Sequence, residues 1–396
     1  SRLFGCRTVY SAEGSSLAIR AMLYLAYTRS GCKGKCLAGR NAHKSFLHTA
    51  VLLDFPISWL WAGDSYLSCP VTAETVEAAI LEEKEKPFAV YLTSPDYLGN
   101  LAPVGEIASV CHRHGVPLLV DNAHGAYLKF LPRSLHPMDL GADLCCDSAH
   151  KTLPVLTGGA YLHMGPDWTA EEAKAAMALF GSTSPSWLIL QSLDGANPLL
   201  ERLPGDIAAL APHIAALKGA LLAHGFALVG AEPLKITVHA AKFGYSGEEM
   251  AEILEKQGIF CEFADRDFLV FMLTPRNTPE ELDRLRAALC ALPRGARQEM
   301  PPIALARPKA ACTPRQAAFA PRETIPVENS LGRILALANV SCPPAVPIVM
   351  CGEEIDEAAQ EALCRCGIEE VTVIKASPSG VAAMQQKMGL ARRSRT

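Results

Sequence analysis

Charge is scarce in this chain and almost balanced between the two signs. Only 20% of the 396 residues are charged, and the formal net charge is −4. A basic surface that could hold nucleic acid or an anionic membrane is therefore not expected. Long apolar runs are missing as well, because no stretch approaches the roughly 20 residues that a membrane helix needs. These absences exclude nucleic acid and membranes as expected partners.

The cysteine spacing that marks a zinc site is also missing. The chain has 14 cysteines, yet no two of them are separated by two residues. Cys111, Cys145 and Cys146 lie in apolar segments, where buried thiols are typical. No secretory signal precedes the first strand-like segment. We therefore expect reduced cysteines, no bound metal and a cytoplasmic protein.

The first 165 residues alternate strand and helix signals. The predicted strands cover 7–10, 89–92, 116–120 and 143–146, and the predicted helices cover 17–27 and 106–114, with a polar turn over 11–16. The strands at 116–120 and 143–146 are almost wholly apolar, as in a sheet that is covered on both faces. This alternation predicts a mainly parallel sheet wrapped by helices.

The pattern changes after residue 167, and 396 residues are too many for one ordinary core. The later predicted elements are helices at 168–180, 207–224, 247–257, 278–292 and 355–366, strands at 234–240 and 268–273, an irregular connection at 293–325, a proline-rich stretch at 341–344 and a frayed basic tail at 391–395. We predict three regions: a large α/β domain over 1–205, a small α+β domain over 206–300, and a linker with a C-terminal domain over 301–396.

An aspartate and a lysine stand at the ends of two successive predicted strands. Asp121 follows the apolar run 116–120, and Lys151 lies 30 residues further on, just past 143–146. Ligands of open α/β sheets bind at the carboxyl ends of the strands. Such a lysine can form a Schiff base with the aldehyde of pyridoxal phosphate (PLP), and the aspartate can keep the pyridine nitrogen protonated. The pair predicts a PLP site.

Taken singly, both residues have ordinary explanations. An aspartate after a strand is more often a turn or cap residue, and a single lysine is usually a surface residue. The pairing favours the cofactor, as does the small, polar setting of Lys151 between Ser148 and the glycines at 158–159.

Three other polar segments have both a structural and a functional interpretation. Ser15 and Ser16 lie in the turn after the first strand, where a helix N-terminus can bind a phosphate or the serines can simply cap the helix. His43 can stack on a ring or merely pack. The hydroxyl-rich turn 181–186 favours a plain loop on local grounds.

With these residues in place, the chain resembles the PLP-dependent ornithine/lysine/arginine decarboxylases with the aspartate-aminotransferase-like fold. The resemblance is carried by the blocks RNAHKS (40–45), LTSPDYLGNLAP (92–103), HRHGVPLLVDNAHGAYL (112–128), GADLCCDSAHKTLPVLTGGAYLH (141–163) and STSPSWLILQSLD (182–194). Weaker similarity continues through 258–278 and 323–355. The resemblance implies a PLP-dependent transferase-like large domain over 1–205, followed by smaller α+β domains.

The resemblance also implies a role for each matching residue. Lys151 is similar to the lysine that binds the cofactor, and Asp121 to the partner of its ring nitrogen. The remaining matches are His43 and Ala123 against the two ring faces, His124 near the phenolic oxygen, Ser15, Ser16, Ser148 and His150 near the phosphate, Thr183 and Ser184 reaching the phosphate from a neighbouring subunit, and Glu262 near the distal end of the substrate. A homodimer or larger homo-oligomer with shared active sites is therefore expected.

The chain departs from the family pattern in three places. Family members carry further residues before the first strand. Asn122 replaces a more usual acidic residue after Asp121, and the charge of Glu13 would repel a phosphate if its side chain pointed inward.

The resemblance implies decarboxylation of lysine, ornithine or arginine to a diamine or agmatine and CO2, with Lys151 or His150 as the proton donor. Two alternatives stay open on the sequence: an aminotransferase that holds a substrate carboxylate with Arg266 or Arg276, and a homologue without activity. Glu262 is either the acceptor of a basic substrate or an outward residue of a strand over 260–263.

Overall fold

The computed structural model describes residues 1–61, 66–296, 307–337 and 346–375. The described residues divide into two compact units. The first comprises residues 1–42, 57–63 and 67–302, and the second comprises 43–56, 64–66 and 303–396. The proline-rich stretch 341–344 and the basic tail 391–395 lie outside the described residues.

The first unit is built on a seven-stranded sheet. Its strands are β1 (Arg7–Ser11), β2 (Cys36–Gly39), β3 (Ile57–Leu60), β4 (Ala89–Thr93), β5 (Leu118–Asp121), β6 (Leu144–Asp147) and β7 (Ala160–Met164). They lie side by side in the order β1-β7-β6-β5-β4-β2-β3. Strand β7 is antiparallel to both β1 and β6, whereas the pairs from β6 to β3 are parallel. The mainly parallel sheet is confirmed.

Helices alternate with these strands and continue through the rest of the described chain. In chain order they are α1 (Gly14–Arg29), α2 (Lys44–Leu53), α3 (Ala73–Glu82), α4 (Val104–Arg113), α5 (Ala149–Thr152), α6 (Ala170–Ala178), α7 (Trp187–Gly195), α8 (Asn197–His224), α9 (Ala240–Phe243), α10 (Gly247–Glu255), α11 (Pro279–Cys290), α12 (Pro314–Phe319) and α13 (Glu357–Arg365). Short 3₁₀ helices lie at Ala126–Phe130, Pro137–Leu140 and Val327–Asn329.

A second sheet of four antiparallel strands also belongs to the first unit. Its strands are β8 (Leu228–Val229), β9 (Lys235–His239), β10 (Phe263–Ala264) and β11 (Phe268–Met272), in the order β10-β11-β9-β8. Buried side chains of α8, α10 and α11 share one apolar cluster with β9 and β11. The predicted α+β pattern after residue 226 is therefore confirmed.

The second unit contains α2, α12, α13 and the antiparallel pair β12 (Arg322–Pro326) and β13 (Glu370–Ile374). Arg315 on α12 donates to the carbonyl oxygens of Val51 and Leu52 at the end of α2, at 3.1 and 3.0 Å. Residues 293–325 were predicted to be a linker or an irregular connection, and this is wrong for the last part of the segment, because α12 and the start of β12 lie there.

The long helix α8 begins ten residues before the predicted start at 207 and continues through Pro204 and Pro212. Its buried residues recur every three or four positions and form one stripe: Leu200, Leu203, Ile207, Leu210, Ile214, Leu217 and Leu221. By length and composition alone, α8 is also the one described helix that could cross a membrane. In the structure its stripe packs against α11 and the 3₁₀ helix at Ala126–Phe130, as expected of an amphipathic core helix.

The predicted boundary between residues 205 and 206 falls inside α8. The three-domain division stays a prediction.

Candidate functional site

Lys151 lies on α5, a single helical turn directly after β6. Its Nζ is 3.0 Å from Nε2 of His124. Although part of the side chain reaches solvent, burial of its surroundings lowers the pKa of Lys151. The charges of Asp121 and Glu262 act in the opposite direction, and that of Lys235 adds to the lowering. Lys151 therefore contacts His124 and interacts electrostatically with Asp121.

Asp121 is the last residue of β5 and is 2% exposed. The hydroxyl of Tyr91 donates to its Oδ2 at 3.1 Å, and the backbone N–H of Ala123 donates to its Oδ1 at 3.2 Å. The thiol of Cys146 lies 3.5 Å from Oδ1. Burial, together with the charge of Asp121, raises the pKa of Tyr91 and of Cys146 well above the usual values. Both groups therefore keep their protons and act as donors to the carboxylate.

Two serines from distant parts of the chain meet at the start of α1. Ser148 is 1% exposed, and its hydroxyl donates to Oγ of Ser15 at 2.7 Å. The helix begins at Gly14 rather than at the predicted residue 17, so Ser15 and Ser16 belong to its first turn. The backbone N–H of Gly14 donates to the Gly158 carbonyl at 2.7 Å, which ties this turn to the loop after Lys151.

His150 faces the same loop. Its Nδ1 lies 3.2 Å from the carbonyl oxygen of Gly159, which its backbone N–H also contacts at 3.2 Å. Because the carbonyl can only accept, Nδ1 carries the proton in this contact.

The carboxylate of Glu13 is engaged by the hydroxyl-rich turn at 181–186. Its Oε1 accepts the backbone N–H of Ser182 at 2.7 Å. The side chain therefore contacts this turn instead of capping its own helix. Thr183 and Ser184 are exposed. Within one chain, it is Ser182 of this turn that contacts Glu13.

His43 belongs to the second unit and caps α2, where its Nδ1 accepts the backbone N–H of Ser45 at 3.3 Å. Ala123 follows the buried carboxylate of Asp121 and is half-buried. The implied stacking of both residues on a cofactor ring stays a prediction.

Glu262 lies just before β10 and is exposed. Its backbone N–H donates to the carbonyl oxygen of Val270 at 2.8 Å. The extent of the strand predicted over 260–263 was wrong, because β10 begins at Phe263 and has only two residues. The ring of Tyr97 contacts His124 edge-on at 5.7 Å between centroids and Phe263 at 4.9 Å. Tyr97 therefore lies between the Lys151 region and the Glu262 segment.

Tyr91, Cys146 and Tyr97 were not among the predicted site residues. A tyrosine within the otherwise aliphatic β4 is a local signal, but its contact with Asp121 depends on the pairing of β4 with β5. The ion pair of Lys235 and Glu232, at 2.8 Å and almost wholly buried, was missed as well.

The donors and acceptors at this site fit a bound PLP. Among the described residues, the hydroxyl oxygens of Thr93 and Thr152 are buried and have no hydrogen-bond partner. Thr93 pairs with Asp121 across β4 and β5, and Thr152 follows Lys151. Unsatisfied buried hydroxyls of this kind are expected where a polar ligand completes the site. A buried carboxylate, a lysine of lowered pKa and a serine-lined helix N-terminus match the ring nitrogen, the aldehyde and the phosphate.

Comparison with known proteins supports this assignment. The family described as Orn/Lys/Arg decarboxylase, major domain, matches residues 1–209, which is more than half of the chain. An arginine decarboxylase of Bacillus anthracis is 30% identical over 384 residues, covering 88% of this chain and 75% of the relative. The uncharacterized protein YaaO of Bacillus subtilis is 29% identical over 394 residues, covering 92% and 80%.

The fold is also similar to that of a lysine decarboxylase of known structure. The structure of the Francisella novicida lysine decarboxylase LdcF superimposes with a TM-score of 0.78 at 18% identity, covering 95% of this chain and 71% of that chain. The sequence match, the fold and the fit of the site together show that this chain belongs to the Orn/Lys/Arg decarboxylase family of PLP-dependent decarboxylases.

Proposed function

We propose that this protein removes the α-carboxylate of arginine, lysine or ornithine as CO2 and releases agmatine or a diamine. The observation that carries the proposal is the pairing of Lys151, whose pKa is lowered, with the buried carboxylate of Asp121. The names of the relatives, arginine decarboxylase and lysine decarboxylase, support a basic substrate. We place the protein in the cytoplasm, in keeping with its cysteine usage.

Bound PLP supplies an electron sink for the electron pair that is left when CO2 departs. Lys151 provides the amine that attaches the cofactor, and a lowered pKa leaves a larger fraction of this amine neutral and nucleophilic near pH 7. Asp121 holds a proton on the ring nitrogen, because a buried carboxylate with a fixed orientation favours the positive charge there. Tyr91 and the Ala123 N–H fix that orientation.

The other site residues orient the cofactor. Ser15, Ser16, Ser148 and His150 would hold the phosphate at the first turn of α1. By the family pattern, Ala123 and His43 would contact the ring faces, and His124 would lie near the phenolic oxygen. These assignments follow the family pattern, and the Ser15–Ser148 contact supports the phosphate end.

Lys151 is the better of the two candidate proton donors to the carbon that loses CO2. Its Nζ is 3.0 Å from Nε2 of His124, so the pair can exchange a proton. His150 instead uses Nδ1 to contact a backbone carbonyl.

Decarboxylation is favoured over aminotransfer by the surroundings of Arg266. A transaminase needs a cation for the substrate carboxylate, but Nε of Arg266 is 2.7 Å from Oδ2 of Asp267. Arg276, the other candidate, is exposed.

We also propose that the active unit is a homodimer with shared sites. Trp187 is 80% exposed and Leu188 is 69% exposed, and both follow closely after Thr183 and Ser184 in the chain. Leu179, on the other side of the turn, is 61% exposed. Apolar groups clustered in this way are typical of an interface. A second copy seated there would place this turn at the phosphate site of its partner.

The first prediction concerns the attachment of the cofactor. Lys151→Ala should abolish borohydride-trapped pyridoxyl label and nearly all turnover, because Lys151 supplies the amine that interacts with Asp121. Peptide mapping after reduction of the PLP-loaded protein is the measurement, and Lys174→Ala, on the exposed face of α6, is the matched control. A pyridoxyl adduct on any other lysine of the wild type refutes the assignment.

A second prediction addresses the distal end of the substrate. Glu262→Gln should raise KM for the true substrate by about tenfold and leave PLP affinity unchanged, because the amide lacks the charge that pairs with a guanidinium or ammonium group. Steady-state CO2 release from the three amino acids is the measurement, with Glu252→Gln on α10 as the control. Unchanged KM for all three would place the distal pocket elsewhere.

The shared-site proposal predicts complementation. Mixing Lys151→Ala protomers with protomers that carry Thr183→Ala and Ser184→Ala should restore part of the activity, because one of the two sites in each hybrid dimer then has both intact halves. Subunit exchange is verified by differential tagging. Hybrid dimers without recovery, or an active monomer in light scattering, would contradict this prediction.

A further inference from the structure

A second buried polar cluster lies directly behind the Asp121 site. Asp147, the last residue of β6, accepts a hydrogen bond from Nδ2 of Asn122 at 2.7 Å through Oδ1. Its Oδ2 lies 3.1 Å from Nε2 of His136 and 2.9 Å from Nε2 of His163. All four side chains are fully buried. We refer to these four residues as the Asp147 cluster.

The cluster occupies the opposite face of the sheet from the cofactor residues. Successive side chains of a strand point to opposite faces. Cys146 contacts Asp121, so its neighbour Asp147 points away from that contact. The ring of Phe4 covers the cluster, with its centroid 4.5 Å from that of His163 and 5.9 Å from that of His136.

Every polar partner of the Asp147 carboxylate is a donor. The backbone N–H of Met138 can only donate, and it contacts Nδ1 of His136 at 3.3 Å, so the proton of a neutral His136 ring lies on Nε2. The Thr8 hydroxyl lies 2.9 Å from Nδ1 of His163 and supports the same tautomer there. Burial lowers the pKa of His163, which favours the neutral ring. Burial alone would raise the pKa of Asp147, but the two histidines outweigh it and hold that pKa well below its usual range.

The cluster connects the two segments that carry the cofactor residues. Asn122 immediately follows Asp121, and Asp147 immediately precedes Ser148 and the helix that carries Lys151. The ladder between β5 and β6 ends at the pair Asp121–Cys146. Beyond that pair, the Asn122 N–H donates to Cys146 O at 2.9 Å, and the side-chain bond from Asn122 to Asp147 continues the connection.

We propose that Asp147 is a positioning residue of the decarboxylase site: through Asn122 it fixes the spacing between Asp121 on β5 and Lys151 on α5. The inference rests on the proposed function. It also accounts for the amide at position 122, where family members more usually carry an acid. A carboxylate there would lie against that of Asp147 without a proton between them, which is unfavourable in a buried site.

The test compares single and paired substitutions in the full-length, PLP-loaded protein. Asp147→Asn places an N–H group where the carboxylate accepts from Asn122 and the two histidines. The rate of borohydride trapping at Lys151 and kcat for CO2 release should each fall about 10- to 100-fold, as expected when reacting groups are slightly misplaced. KM should change much less. Asp143→Asn, just before the other end of β6, is the control, because its amide oxygen can still accept the N–H of Leu118.

Reversal of the hydrogen bond gives the sharpest readout. In the double variant Asn122→Asp/Asp147→Asn, the amide at 147 donates to the carboxylate at 122 while its oxygen accepts from the imidazoles. Most of the trapping rate should return, whereas Asn122→Asp alone should lose it. A double variant as impaired as Asp147→Asn would overturn the proposal.

Asn122→Ala covers the case in which Asp147→Asn does not fold. It leaves Asp147 paired with both histidines and breaks only the connection to β5, so the same loss of trapping is expected. Wild-type trapping in this variant overturns the proposal. Stoichiometric zinc in the purified protein that is lost in Asp147→Asn also overturns it, because two histidines and an aspartate are a zinc ligand set. Absence of CO2 release by the wild type refutes the proposed function, while the trapping rates still decide the role of Asp147.

Discussion

The parallel pairing of β5 with β6 is the constraint on which the candidate site depends. Its register sets Asp121 opposite Cys146, so both strands end at the same edge of the sheet. The chain leaves β6 through Ser148 and turns at once into α5, which keeps Lys151 close to the edge where Asp121 lies. A shift of this register by one residue would pair Asp121 with Cys145 or Asp147. It would also turn the Asp121 side chain to the opposite face of the sheet. The separation of the lysine and the aspartate is thus a property of backbone hydrogen bonds rather than of loop conformation.

The electrostatics of the site follow from where the carboxylates are buried. Asp121 is surrounded by groups that donate to it and cannot readily lose their protons, which suits an acceptor reserved for a protonated ring nitrogen. Asp147, one residue past Cys146, is stabilised as a carboxylate on the other face by histidine and amide donors. Alternation of side chains along two short strands thus separates the carboxylate that we propose serves the cofactor from the carboxylate that we propose positions it.

The parts of the fold that local pattern controls were predictable. Apolar runs marked the strands that end near Asp121 and Asp147, and the aspartate–lysine pair indicated the cofactor by its position at the ends of those strands. The start of α1 and the length of α8 were not predictable in this way. The serines and the glycine of the first turn indicate a loop, and Pro204 and Pro212 indicate a helix break. Packing of the apolar stripe of α8 outweighs that local preference.

Contacts between residues distant in sequence were beyond sequence reasoning for a different reason. Tyr91 meets Asp121, and His136 and His163 meet Asp147, only because strands separated by tens of residues pair in one register. The spacing of residues along the chain carries no information about that register. The insertion of β7 between β1 and β6 likewise reverses one strand direction without a local signal.

The central claim is that Asp121 makes the bound cofactor an effective electron sink for decarboxylation. Asp121→Asn tests it most directly, with CO2 release measured from carboxyl-labelled arginine, lysine and ornithine. We expect the wild type to release label from at least one of them, and the variant to retain PLP while kcat falls by about two orders of magnitude or more. Near-wild-type release by the variant would contradict the account, as would label that stays in a 2-oxo acid product of the wild type.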